Sequence, residues 1–139
     1  ENKKDWIDNR INSETQQTFR RDMVEWVRTI SDHAKTKRSG FVVIPQNGSE
    51  LLVDQNYIAA IDAIGIEDLF TSGNKPQSDY HTKSVLHNLA LIKAVSKPVL
   101  LIEYPVKKAM CDLAEKKAAE HGLGLLITDR PLKTLGSAK

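Results

Sequence analysis

Apolar residues recur along this chain in two rhythms, one helical and one continuous. Phe19, Met23, Trp26, Val27, Ile30 and Ala34 fall three or four apart, which predicts the inward stripe of an amphipathic helix of about four or five turns. Ser13, with Gln16 three residues on, has the spacing at which a hydroxyl and an amide satisfy each other's free N–H groups at a helix start. After Gly40 comes the β-branched run Phe41, Val42, Val43 and Ile44, which suits a strand covered on both faces. A weaker helix is expected over 50–57 and a second buried strand over 60–66. Gly73, Asn74, Lys75 and Pro76 then make a loop.

The rhythm continues. A helix capped by Ser78 or Asp79 carries Val85, Leu86, Leu89 and Ile92 on one face. Pro98 opens a third strand over 99–104, where a missing N–H does least harm. A helix over 106–121 turns Met110, Leu113 and Ala114 inward and stops at Gly122, a residue suited to the left-handed turn after a helix. The last strand spans 123–128, and 131–135 form a closing turn or short helix. Apolar strands alternating with helices predict an α/β fold with a parallel sheet and helical crossovers, read as one domain over 1–139.

Composition narrows the function. No stretch approaches the roughly 18 consecutive apolar residues of a membrane helix, and no apolar block of a signal peptide comes after Glu1. Twenty basic against eighteen acidic residues leave a net charge of +2, too even a balance to argue for a nucleic-acid partner. Cys111 is the single cysteine, so there is no internal disulfide and no thiolate metal site. The four histidines form no metal constellation: His81 and His87 sit on different faces of their helix, and His33 and His121 lie near helix ends. All four are read as surface or capping residues. No metal and no cofactor is expected, since a Gly-rich phosphate loop is also missing. Lys107, Lys108, Lys116 and Lys117 read as a solvated helix face.

Ligands of parallel α/β proteins gather at the carboxyl ends of the strands. Here those ends hold Gln46 and Asn47, then Glu67 and Asp68, then Glu103 and Tyr104, then Asp129 and Arg130. Carboxylates beside amides, a phenol and a guanidinium suit a polyhydroxylated ligand, with one carboxyl doing acid/base work and the rest gripping hydroxyls. Strand parity sets Ile61, Ala63, Gly65 and Glu67 on one face, and the small Ala63 and Gly65 leave room for a ligand beside Glu67. Asp62, of opposite parity, reads as a structural acceptor.

Three blocks of the chain resemble glycoside hydrolase family 114, the endo-α-1,4-polygalactosaminidase family. They are Phe41-Val42-Val43-Ile44-Pro45-Gln46-Asn47-Gly48, the run from Tyr57 through Ile66-Glu67-Asp68-Leu69-Phe70, and Pro98-Val99-Leu100-Leu101-Ile102-Glu103-Tyr104. The resemblance implies a (β/α)₈ TIM barrel that cleaves α-linked galactosamine polymers with two carboxylates. By it, Glu67 matches the carboxylate after the sixth strand and becomes the general acid/base, while Gln46, Asn47, Glu103 and Tyr104 line the sugar site. Asp129 and Arg130 join them as substrate-binding candidates.

No block matches the first four strands, and Asp5 and Asp8 lie in a polar segment that does not read as a strand. Such a barrel needs about 250 residues. The chain, which opens at Glu1 without a Met, is therefore expected to be the carboxyl-terminal part of a barrel, about strands five to eight. Its partners would be a polysaccharide or oligosaccharide substrate and the N-terminal half of the barrel. The second carboxylate would lie upstream, leaving this chain alone inactive. The resemblance also implies an extracellular or cell-surface location. The alternative is a non-catalytic carbohydrate-binding or cell-surface protein on the same barrel. A complete flavodoxin-like signalling domain fits the length but needs acidic residues where Gln46 and Asn47 stand.

Overall fold

A computed structural model describes residues 10–138; the segment with Asp5 and Asp8 lies outside the described residues. The first helix among the described residues, α1, spans Phe19–Lys37. Its cap is Thr18, whose hydroxyl accepts the Arg21 N–H at 3.1 Å. Ser13 does not cap it. Gln16 sits at a φ of 59° and its amide donates to the Ser13 carbonyl at 2.6 Å, closing a turn ahead of the helix.

The inward face of α1 also differs from the expected stripe. Val24 and Ser31 are buried and Val27 packs against the core, with the Ser31 hydroxyl donating to the Ala60 carbonyl at 2.6 Å. Phe19, Met23, Trp26 and Ile30 lie on the outer side, Trp26 with 62% of its surface exposed.

Residues 41–46 run extended beside the sheet without joining it as a strand. Asp62 holds them: its backbone N–H donates to the Val43 carbonyl at 2.9 Å, and its carboxylate accepts the Val43 N–H at 2.8 Å. One parallel bridge, Gln46 to Gly65, comes next. Phe41 is 47% exposed and Val42 59%, so the expected strand with both faces covered is not formed. Its outer edge meets no neighbour among the described residues. A 3₁₀ turn, Ser49–Val53, then leads into α2, Gln55–Ala60, capped by Asp54 on the Asn56 N–H. Lys97 donates to the carbonyls of Ile58 and Ile61 at the far end of α2.

The remaining elements are β1 (Ile64–Glu67), β2 (Thr71–Ser72), β3 (Lys75–Pro76), α3 (Asp79–Lys93), β4 (Val99–Glu103), α4 (Lys108–His121), β5 (Gly124–Ile127) and β6 (Ser137–Ala138). Their main sheet has the order β1-β4-β5-β6. β1, β4 and β5 are parallel, with Ile64 opposite Val99 and Leu100 opposite Gly124; β6 pairs antiparallel with β5. β2 and β3 form a separate two-stranded hairpin where a plain loop was expected.

The barrel expectation is overturned. Among the described residues, four helices accompany a mixed four-stranded sheet and a small second sheet, and no eightfold strand-helix alternation is evident. Two physical features account for this. Among the described residues, no strand pairs with the outer side of the run 41–44. At the other edge, the chain after β5 turns back at Gly136 (φ 65°) and lays an antiparallel strand on it.

Leu52, Tyr57, Ile61, Ile64, Leu69, Leu89, Ile92 and Leu101 fill the core. Ser78 caps α3 by accepting the His81 N–H at 3.3 Å. The cap residue of α4, Lys107, offers no side-chain bond. Asn74 in the hairpin serves instead, its Oδ1 accepting the N–H groups of Val106 and Lys107 at 2.8 and 2.7 Å. Gly122, at a φ of 62°, ends α4 in the left-handed turn. Among the described residues no helix is long and apolar enough to cross a membrane.

Candidate functional site

The carboxyl end of β1 brings four of the sequence-predicted residues together. Glu67 closes the strand, and Asn47 reaches it from the neighbouring loop. The Asn47 Oδ1 accepts the Glu67 N–H at 3.0 Å, and its amide donates to Glu67 Oε2 at 3.3 Å. The backbone of Asn47 is fixed as well, its N–H donating to the Gly65 carbonyl at 2.7 Å. From the end of β4 the Tyr104 hydroxyl donates to Glu67 Oε1. Glu67 is thus gripped by two neutral donors and, among the described residues, makes no salt bridge.

Tyr104 is itself enclosed, only 6% exposed. Burial first, then its bond to Glu67, pushes the phenol up to about 12, so it stays a proton donor to Glu67 at any ordinary pH. Arg130 covers its ring, the guanidinium carbon 4.3 Å from the centroid. The same guanidinium donates to both oxygens of Asp68, at 2.7 and 2.8 Å, and that pairing raises Arg130 further above its usual range. Asp68 is therefore occupied by Arg130.

The other candidates are placed differently. Glu103 is fully buried. Its carboxylate accepts the Phe70 N–H at 2.7 Å, the Thr71 N–H at 3.2 Å and the Thr71 hydroxyl. Burial pushes this carboxyl upward against the pull of those bonds. It therefore ties down the backbone just beyond Glu67 and Asp68 and does not line a sugar site. Asp129 closes its own turn, accepting the N–H groups of Lys133 and Thr134 at 3.0 and 2.9 Å and the Thr134 hydroxyl; these bonds, the hydroxyl's first, hold it below the usual carboxylate range. Gln46 fills the space beside Gly65 that parity assigned to a ligand. A Cβ on Gly65 would stand 2.3 Å from the Gln46 Oε1. Asp62 has the expected structural role: it is held below its usual range by the Val43 N–H first, and it pairs with Lys35 at 3.0 Å.

A pocket of about 370 Å³ opens at this end of β1, lined by Asn47, Glu50, Glu67, Asp68, Gln77 and His81 with a few smaller groups. Three carboxylates border it and no lysine or arginine does. Asn47, Gly48 and Asp68 all hold left-handed backbone, at φ 60°, 69° and 53°. Strain in non-glycine residues concentrates where a chain must aim groups into a site. Glu50, Gln77 and His81 were missed from the sequence. His81 has a readable signal, since it precedes the buried Val85 by four residues and Asn88 by seven, on one face of α3. No group of three metal-ligating side chains occurs among the described residues.

No family model matches the chain. It is similar to an uncharacterized protein of Deinococcus radiodurans, 35% identical over 117 residues that make up 84% of this chain and 38% of that protein. Uncharacterized proteins of Methanocaldococcus jannaschii and Thermotoga maritima are similar at 26% and 28% identity, each over 60% of this chain and 25% and 27% of their own lengths. The chain thus spans between a quarter and two fifths of the length of the curated relatives it matches.

Proposed function

We propose that this chain carries part of the active site of a carbohydrate-active hydrolase that cleaves an α-1,4-linked galactosamine-type polysaccharide. The observation that supports it most is the state of Glu67, a carboxylate at a strand's carboxyl end, bordering a pocket and held by Tyr104 and Asn47 with no cation paired to it among the described residues. A group so placed is oriented and keeps access to a substrate, as an acid/base needs. When protonated, Glu67 gives its proton to the glycosidic oxygen as the bond to the sugar breaks. The resulting carboxylate then takes a proton from the attacking water. This chemistry needs a second carboxylate, and this chain, which spans a quarter to two fifths of its relatives' lengths, is expected to be inactive alone.

The alternative is a protein that binds carbohydrate without cleaving it. In its favour, Asp68 is occupied by Arg130, Glu103 by backbone and Asp129 by its own turn, which leaves few carboxylates free for chemistry. The test uses the full polypeptide that carries this sequence, with release of reducing ends from an α-1,4-galactosamine polymer as readout. Glu67→Gln should abolish release and leave binding largely intact, with Glu50→Gln run beside it. Turnover retained by Glu67→Gln removes Glu67 from its role; binding without turnover in the parent protein favours the alternative.

A further inference from the structure

The same pocket is also bordered by the start of α3, through Gln77 just ahead of its Ser78 cap and His81 in its first turn. The His81 Nε2 is buried and, among the described residues, has no hydrogen-bond partner. Such an orphan is uncommon in folded proteins and costs stability, so it calls for a reason at that position. His81 stands one turn before the buried Val85 and continues the inward face of α3, where an apolar ring would fill the space without a stranded nitrogen. The ring adjoins a pocket in which several polar groups already have partners in the protein: Asn47 and Glu67 hold each other, and the Gln77 amide donates to the Asp68 carbonyl at 2.9 Å. Among the described residues, the imidazole nitrogen is the buried side-chain atom at this pocket without a partner. Its χ2 torsion is soft and roughly two-fold, so a turn of the ring exchanges the positions of its nitrogen and carbon atoms while the ring stays in place.

We propose that His81 is a ligand-contacting residue of this pocket, its imidazole turning about χ2 to meet a hydroxyl of a sugar unit held between it and Glu67. This rests on the carbohydrate reading above. The pocket volume lies at the small end of the range for ligand sites, enough for a short stretch of sugar at most. An imidazole nitrogen either donates to a hydroxyl oxygen or accepts its proton, and so contributes selectivity for hydroxyl placement at that position.

The experiment measures affinity of the full polypeptide for an α-1,4-galactosamine oligosaccharide by calorimetry, with thermal stability recorded on each variant. His81→Phe, which keeps the ring and removes the orphaned nitrogen, should be at least as stable as the parent and bind roughly five- to tenfold more weakly. His81→Gln should recover part of that loss. A His81→Phe protein that binds as well as the parent, while Glu67→Ala binds poorly, overturns the role of His81 and leaves the carbohydrate reading standing. A His81→Phe protein that loses stability together with binding makes His81 structural and also overturns the proposal. If the parent does not bind the oligosaccharide, the carbohydrate reading fails and this inference fails with it.

Discussion

Replacing Glu103 by Gln gives the sharpest test of how the site is held. Glu103 is fully buried and accepts three bonds, two from the backbone N–H groups of Phe70 and Thr71 and one from the Thr71 hydroxyl. Gln keeps the shape and one accepting oxygen. Its NH₂ replaces the other oxygen and points a donor at a donor, which strands at least one buried N–H at about 1–3 kcal/mol. The surviving bonds also lose their charge assistance, and relief from burying a carboxylate offsets part of the sum. The expected net loss is about 2–4 kcal/mol, a large share of the roughly 5–15 kcal/mol that holds a domain together. Urea unfolding followed by circular dichroism at pH 7 measures it, and amide exchange at Phe70 and Thr71 should accelerate with it. A loss below about 0.5 kcal/mol with exchange unchanged would refute the clamp. Burial raises the Glu103 carboxyl, so its contribution is full at low pH and fades as pH rises through the folded value. The difference between parent and Gln variant should therefore narrow as pH rises above the ordinary glutamate range.

Two further outcomes rest on named bonds. Asn74→Ala removes the acceptor shared by the Val106 and Lys107 N–H groups and should cost about 1–2 kcal/mol in urea unfolding, with faster exchange confined to the start of α4. The Val43 N–H first, and Lys35 after it, hold the Asp62 carboxyl below the usual aspartate value; the stability it lends is present above that value and lost as pH falls through the lower folded one. Acid should therefore loosen 41–46, seen as lost protection of the Val43 amide as pH falls below the ordinary aspartate range, and Asp62→Asn should show that lower protection already at pH 7.

Several elements were legible in the sequence because their signals are local. The stripe on α3, the Ser78 cap, the Pro98 strand start and the Gly122 stop each lie where periodicity and capping chemistry set them. α1 was legible as a helix and misread as to face. It carries two apolar stripes, and the larger, through Phe19, Met23, Trp26 and Ile30, is the exposed one; a period gives the angle between residues, not which side meets the core. The run 41–44 has the composition of a strand, but a strand also needs neighbours, and Asp62 supplies only one side. The antiparallel return of β6 depends on a turn at Gly136 and a pairing of two residues, too short to leave a rhythm.

Within the site, Glu67, Asn47 and Tyr104 were legible as polar residues at the carboxyl ends of apolar runs, and they do meet. Glu103 was misplaced although the same parity rule exposes it, since Val99, Leu101 and Glu103 alternate onto one buried face of β4. By that parity Glu103 is a carboxylate in need of buried donors, and the backbone at Phe70 and Thr71 provides them.

Whether the rim at the end of β1 receives sugar is decided by an amide-resolved NMR titration of this chain with an α-1,4-galactosamine oligosaccharide. Shifts should cluster at Asn47, Glu67 and Asp68 and extend to Gln77 and His81 across the pocket. A spectrum left unchanged at saturating oligosaccharide, or shifts confined to the exposed face of α1, would mean that Glu67 and its neighbours do not form a sugar site.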